Sequence, residues 1–151
     1  MASDYDHLRL DRQICFSLNA ATRAFGGVYR TLLKDLGLTY PQYLVMLALW
    51  ESPEGEGLPV KRLGERLRLD SGTLSPLLKR LEANGLVRRE RSTRDERSVT
   101  ITLTEAGEEL KPRAAEVPLR IASATGFELR EIEDLRERLN RLTEALDGAR
   151  L

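Results

Sequence analysis

Residues 59–103 read PVKRLGERLRLDSGTLSPLLKRLEANGLVRRERSTRDERSVTITL, and the fold is decided there. Val60 to Leu67 reads as a first helix. Asp70 or Ser71 then caps a second, because a short side-chain oxygen at that point takes up a free backbone N–H. Leu74, Leu77, Leu78 and Leu81 make the buried face of this second helix. Asn84-Gly85 closes it with a residue that tolerates positive φ. Leu86-Val87-Arg88-Arg89-Glu90 reads as a strand, and Ser98 to Leu103 as its partner, with Val99, Ile101 and Leu103 alternating onto one face. Helix, short turn, helix and a hairpin with a charged loop make up a winged helix-turn-helix, a module that reads DNA.

The second helix carries the reading surface. Gly72, Pro76, Lys79 and Ala83 lie opposite the leucines, with Ser75 and Arg80 beside them. Small residues let a helix backbone sit deep in a major groove, while Lys79 and Arg80 reach phosphates or guanine edges. Ser71, Thr73, Ser75, Lys79 and Arg80 are therefore the expected helix contacts. Pro76 contributes a flat surface and removes a helical hydrogen bond unless it falls in the first turn. The loop Arg91–Arg97 is the wing, where Arg94 or Arg97 enters a minor groove. Alternatively Asp95 pairs with Arg97 and stiffens the turn; one arginine in the groove and one held by Asp95 would satisfy both readings. From Lys61 to Thr100 there are 11 Lys+Arg and 6 Asp+Glu, and the rest of the chain holds 13 and 18. A net charge of zero thus conceals a basic module on an acidic scaffold, which concentrates attraction for phosphate in one place.

Long helices flank the module. Tyr5 to Asp35 reads as one helix, with Ile14, Leu18, Ala21, Phe25, Val28 and Leu32 on an apolar stripe. Gly26 and Gly27 weaken it by up to about 1 kcal/mol each and mark a bend or a close helix crossing. Gly37 caps its end. Thr39-Tyr40-Pro41 starts the next helix, and YLVMLALW makes that helix central and buried. SPEGEGLP reads as an irregular loop. Thr104 caps a helix that Pro112 and Pro118 kink or break. A last helix, Leu129 to Leu146, carries Ile132, Leu135, Leu139, Leu142 and Leu146 in a near-heptad seam, which is either a core face or an intersubunit contact.

The 151 residues hold one cysteine and one histidine. That excludes an internal disulfide and a Cys-based zinc cage, and His7 near the terminus makes no metal site. No cofactor and no membrane span are expected, and no secretory leader stands in MASDYDHLRLDRQ, so a cytoplasmic location follows. Cys15 sits one position off the apolar stripe. It is either a small buried hydrophobe or a reactive thiol. Cys15, Thr22 and Tyr29 are seven apart and share a stripe, with a drift of about 20° per heptad. Fourteen residues is about 21 Å along one helix, so Cys15 and Tyr29 cannot touch within it. Two copies crossing antiparallel near Thr22 would bring Cys15 of one beside Tyr29 of the other, where a phenolic O–H can bond a thiolate or hold a peroxide oxygen.

Taken together, DRQICF around Cys15, LTYPQYLVMLALW from Leu38, LDSGTLSPLLKRLEANGL from Leu69 and DERSVTITLTEAG from Asp95 resemble the MarR family, most specifically its organic-hydroperoxide-sensing branch, OhrR. The resemblance implies an α+β, mostly helical, single domain over 1–151. Its winged helix-turn-helix spans 59–103, and 1–38 and 105–151 are dimerisation helices. It implies a non-enzymatic repressor, a homodimer on pseudo-palindromic operator DNA. Cys15 is then the thiol that an organic hydroperoxide oxidises, hydrogen-bonded by Tyr29 and Tyr40. Asn19 stands where the branch often has a tyrosine, one turn from Cys15, and either bonds the thiol in its place or loosens the pocket. With no second cysteine, a low-molecular-weight thiol or over-oxidation must complete the chemistry. The competing reading is a repressor released by a non-covalent phenolic or carboxylate ligand, with Cys15 structural. A thiol peroxidase that turns over is disfavoured, since there is no resolving cysteine.

Overall fold

Local capping sets most element boundaries. The computed structural model describes residues 4–53, 55–91 and 97–151. Over these the chain runs α1 (Ile14–Leu33), α2 (Tyr40–Glu51), β1 (Leu58–Pro59), α3 (Val60–Leu67), α4 (Ser71–Ala83), β2 (Val87–Arg91), β3 (Val99–Leu103), α5 (Glu105–Ala114), α6 (Val117–Ala124) and α7 (Leu129–Asp147). Thr39 caps α2 reciprocally with Gln42: each backbone N–H donates to the other's side-chain oxygen. Asp70, rather than Ser71, caps α4 by accepting the Thr73 N–H at 2.7 Å. Thr104 Oγ1 accepts the Gly107 N–H at 3.1 Å and so opens α5.

Several expectations are corrected. The first helix begins at Ile14, not Tyr5; two 3-10 turns, Asp6–Leu8 and Leu10–Arg12, precede it. Arg9 and Gln13 are extended, and the Gln13 amide donates to the carbonyls of His7 and Arg9, which draws the chain out of helical register. Gly26 and Gly27, expected to mark a bend or a close helix crossing, lie within an unbroken α1. The loop after α2 supplies β1, a two-residue strand antiparallel to β3 with Leu58 opposite Ile101. Two residues are too few to alternate visibly. The sheet order is β1-β3-β2, with β2 and β3 in register from Val87 opposite Leu103 to Arg91 opposite Val99. Of the two prolines expected to break the helix after Thr104, Pro112 lies inside α5, whereas Pro118 sits in the first turn of α6, beyond the break.

Two compact units divide the chain, Met1–Ala114 and Ala115–Leu151. In the first, α2 packs on α1, α3, α4 and α5. Its centre is Leu33, Val45, Met46, Leu49, Leu63, Leu74, Leu78, Leu81, Val87 and Ile101, all essentially inaccessible. Each large aliphatic side chain buried this way contributes about 1.5–3 kcal/mol. Leu77, expected with the α4 leucines, is only half-buried. Between α3 and α4 the turn closes through Arg68 in a left-handed conformation (φ 57°), and the Leu69 N–H donates to Gly64 O at 3.0 Å. In the second unit α7 has no buried residue. Among the described residues no helix is long and apolar enough to cross a membrane.

Gly107 is the tightest joint. Its carbonyl accepts the buried Trp50 Nε1–H at 3.0 Å, and a Cβ there would run into the Leu86 carbonyl oxygen. Gly107→Ala should therefore lower stability by about 2–3 kcal/mol, as overpacking does. Urea unfolding checks this; a loss within error would mean that α5 moves away from Leu86 freely.

Candidate redox site and nucleic-acid interface

Cys15 is the second residue of α1 and is exposed. So is most of that helix: of its 20 residues only Leu33 is buried. Ile14 is 66%, Phe16 46% and Phe25 41% accessible within one chain. Asn19, one turn on, is exposed as well.

At the far end of α1 the tyrosines converge. Tyr29 is half-buried, and its ring centroid lies 4.6 Å from that of Tyr40 and 5.8 Å from that of Tyr43. Phe25, one turn back, is 6.4 Å away. Tyr40 and Tyr43 are three residues apart on α2, so both face α1. The structure thus stacks Tyr29 against Tyr40 within one chain. It leaves Cys15 remote from them within one chain, fourteen residues or about 21 Å along α1. Tyr43 was not anticipated: inside YLVMLALW an aromatic ring reads as core, and only its spacing from Tyr40 signals a pair. Burial pushes the Tyr29 phenol up to about 12, helped by Tyr40 and Tyr43. Tyr43 is raised for the same leading reason, burial, with Tyr40 next. Near neutral pH the Tyr29 O–H is therefore a donor.

The outer face of α4 is the one the helical wheel placed opposite the leucines. Ser71, Gly72, Thr73, Pro76, Lys79, Arg80 and Ala83 are exposed on α4 and Ser75 is half-buried. Pro76 is in the second turn of α4, not the first, so it withholds the N–H that would reach the Gly72 carbonyl. Asp70 is held below the usual carboxylate range by the Thr73 N–H, so the cap stays ionised. Beside α4, a cleft of about 790 Å³ opens between α3, α4 and the β2–β3 hairpin, with Lys61, Arg68, Arg89 and Arg97 on its walls. Of the wing residues, Arg97 is placed here; Arg94 and Asp95 lie outside the described residues. Lys61, Arg68 and Arg89, not singled out from the sequence, come together on this cleft only through the packing of α3 and the hairpin against α4. Among the described residues no group of His, Cys, Asp or Glu side chains could hold a metal ion.

The raised Tyr29 phenol has a signed consequence. The folded state holds its proton above pH 10, where the unfolded chain releases it, so stability is full below about pH 10 and is lost as pH rises through about 12. Tyr29→Phe should flatten that loss in urea titrations across the window. An unchanged slope would mean that another group titrates there.

Comparison with known proteins agrees with this architecture. A family model for the transcriptional regulators SarA and Rot matches residues 27–113. The organic hydroperoxide resistance transcriptional regulator of Bacillus subtilis (strain 168) is 46% identical over 97% of both chains. The HTH-type transcriptional regulator TtmR of Methylorubrum extorquens (strain PA1) is 51% identical over 93% of this chain and 71% of its own. Among solved structures, reduced AbfR bound to DNA superposes with a TM-score of 0.78 at 36% identity, covering 97% of this chain and 100% of that one. Identity at this level along nearly the whole length places the chain in the MarR-type winged-helix transcriptional regulators, on the branch that includes the organic hydroperoxide resistance regulators.

Proposed function

We propose that this chain is a DNA-binding repressor that senses organic hydroperoxides through Cys15 and releases its operator on oxidation. The observation that carries the proposal is the pairing of an exposed thiol with an uncovered apolar helix that ends in a tyrosine cluster. Ile14, Phe16 and Phe25 are too apolar to face water along a 20-residue helix, and a second copy crossing near Thr22 covers them. That crossing sets Cys15 of one protomer against Tyr29 and Tyr40 of its partner. The α7 seam, with Leu135 43% and Leu146 65% accessible, is a second surface for the same dimer. Residues 1–38 and 105–151 are then the dimerising parts and 59–103 the reader.

The chemistry balances without a cofactor. The Cys15 thiolate attacks the terminal oxygen of ROOH; an S–O bond forms and the O–O bond breaks. The sulfur is oxidised by two electrons to sulfenic acid, and RO⁻ leaves and is protonated to ROH. Tyr29 and Tyr40 donate hydrogen bonds to the peroxide oxygen and then to the sulfenate, with Asn19 one turn away as a further partner. A low-molecular-weight thiol then displaces water from the sulfenic acid and leaves a mixed disulfide. The added bulk and polarity shift the helices at the interface. The two recognition helices then no longer meet major grooves about 34 Å apart. In the reduced dimer Ser71, Thr73, Ser75, Pro76, Lys79 and Arg80 face the major groove. Arg97 and Arg94 serve the minor groove, with Asp95 bracing the wing.

The test is a gel shift on the duplex that the reduced protein enriches from a random-sequence pool. Stoichiometric organic hydroperoxide plus a small thiol should release the wild type and leave Cys15→Ser bound. Release of both proteins, or of neither, contradicts the sensor reading and returns the chain to a regulator gated by a non-covalent ligand.

A further inference from the structure

Arg89 has no part in the chemistry above, and its surroundings are unusual. It sits opposite Ile101 in the hairpin, on the face of β2 that also carries the buried Val87, so its side chain points toward α4 rather than solvent. Its backbone N–H donates to Glu82 Oε2 in the last turn of α4, at 3.2 Å. Its guanidinium Nη2 donates to the Ser75 carbonyl in the second turn, at 3.4 Å. Its Nε is buried with no hydrogen-bond partner among the described residues. One residue of the wing strand thus grips the recognition helix at two points seven residues, or about 10 Å, apart.

The upper grip falls where α4 is weakest. Pro76 withholds a helical N–H from Gly72, and the residue before a proline, here Ser75, is disfavoured in the helical region. Ser75 itself is one of the expected groove contacts, and it directly follows the first turn that carries Ser71 and Thr73. A charged donor on the Ser75 carbonyl is stronger than a neutral one, and it replaces from outside some of the support that the helix lacks. Lys79 and Arg80, by contrast, are exposed and free to reach DNA.

We infer that Arg89 is a positioning residue that fixes the angle between recognition helix and wing, and so determines sequence discrimination without contacting DNA. The inference rests on the DNA-reader function proposed above. A guanidinium on a phosphate would add affinity for any sequence and steepen the salt dependence. One turned inward toward the Ser75 carbonyl alters only how well helix and wing fit their two grooves together.

The experiment uses the reduced full-length protein, the duplex enriched by wild type from a random pool, and a scrambled duplex of equal length, each titrated over a range of salt. In Arg89→Met, which keeps the stem and removes the buried Nε, preference for the enriched duplex should fall about tenfold, the size of one lost base contact. The salt slope should not change. A slope reduced by about 1, with both duplexes weakened alike, marks a phosphate contact and overturns the inference. So does an unchanged preference, whatever happens to thermal stability. If Arg89→Met does not fold, Arg89→Lys carries the test. It keeps charge and stem but lacks the planar fork, so its preference must also fall, and wild-type preference would overturn the inference. A wild type that enriches no sequence at all defeats the DNA-reader function itself, and this inference with it.

Discussion

Helix α1 commits twenty residues and buries one of them, Leu33. An apolar surface left in water costs about 25 cal/mol per Å², and the stripe through Ile14, Phe16, Phe25 and Val28 is long enough for this to dominate. Everything proposed for the switch follows from covering that stripe. A self-complementary crossing satisfies it with one kind of chain and a two-fold axis. Because Cys15 and Tyr29 lie at opposite ends of the stripe, the proposed crossing would build a composite site that neither chain possesses alone. A sensor assembled this way is coupled to the dimer geometry by construction: whatever changes at the sulfur changes at the interface.

In the proposed dimer, α2 links the tyrosine cluster to the base of the wing. Helix α2 begins with Tyr40 and Tyr43 against Tyr29 and ends at Trp50, about 15 Å away by helical rise. Trp50 is tied there by its indole N–H to Gly107 and by its carbonyl to the Lys111 ammonium at 3.2 Å. Gly107 in turn lies against the Leu86 carbonyl, where α4 gives way to β2. The α2 residues between are close-packed on α3 and α4, so the helix has little room to bend. In the proposed switch, a displacement of the tyrosines would reach the base of the wing through α2 and its Trp50–Gly107 hydrogen bond to α5.

Much of this was legible because it is local. Thr39, Asp70 and Thr104 each announce a helix start through chemistry confined to three residues, and the leucines of α4 define its inner face by spacing alone. What escaped depended on contacts distant in sequence. The 3-10 turns before Ile14 arise from Gln13 reaching back to His7 and Arg9, which periodicity does not register. The β1 strand exists only because Leu58 finds Ile101. Tyr43 hid among core residues, since a ring buried for packing and a ring buried beside other phenols look alike in sequence. In the strand Leu86–Glu90, alternation places Arg89 beside Val87 on the inner face, but nothing in the sequence says that Ser75 waits there.

The central claim is that the redox site is shared between two chains, and an intersubunit cross-link tests it most directly. Tyr29→Cys places a second thiol where the partner's Cys15 is expected. Mild oxidation should convert this variant to a covalent dimer on a non-reducing gel, while wild type and the double variant Tyr29→Cys, Cys15→Ser stay monomeric. A Tyr29→Cys protein that remains monomeric, or a wild type that cross-links as readily, would contradict the shared site and detach Cys15 from the tyrosine cluster.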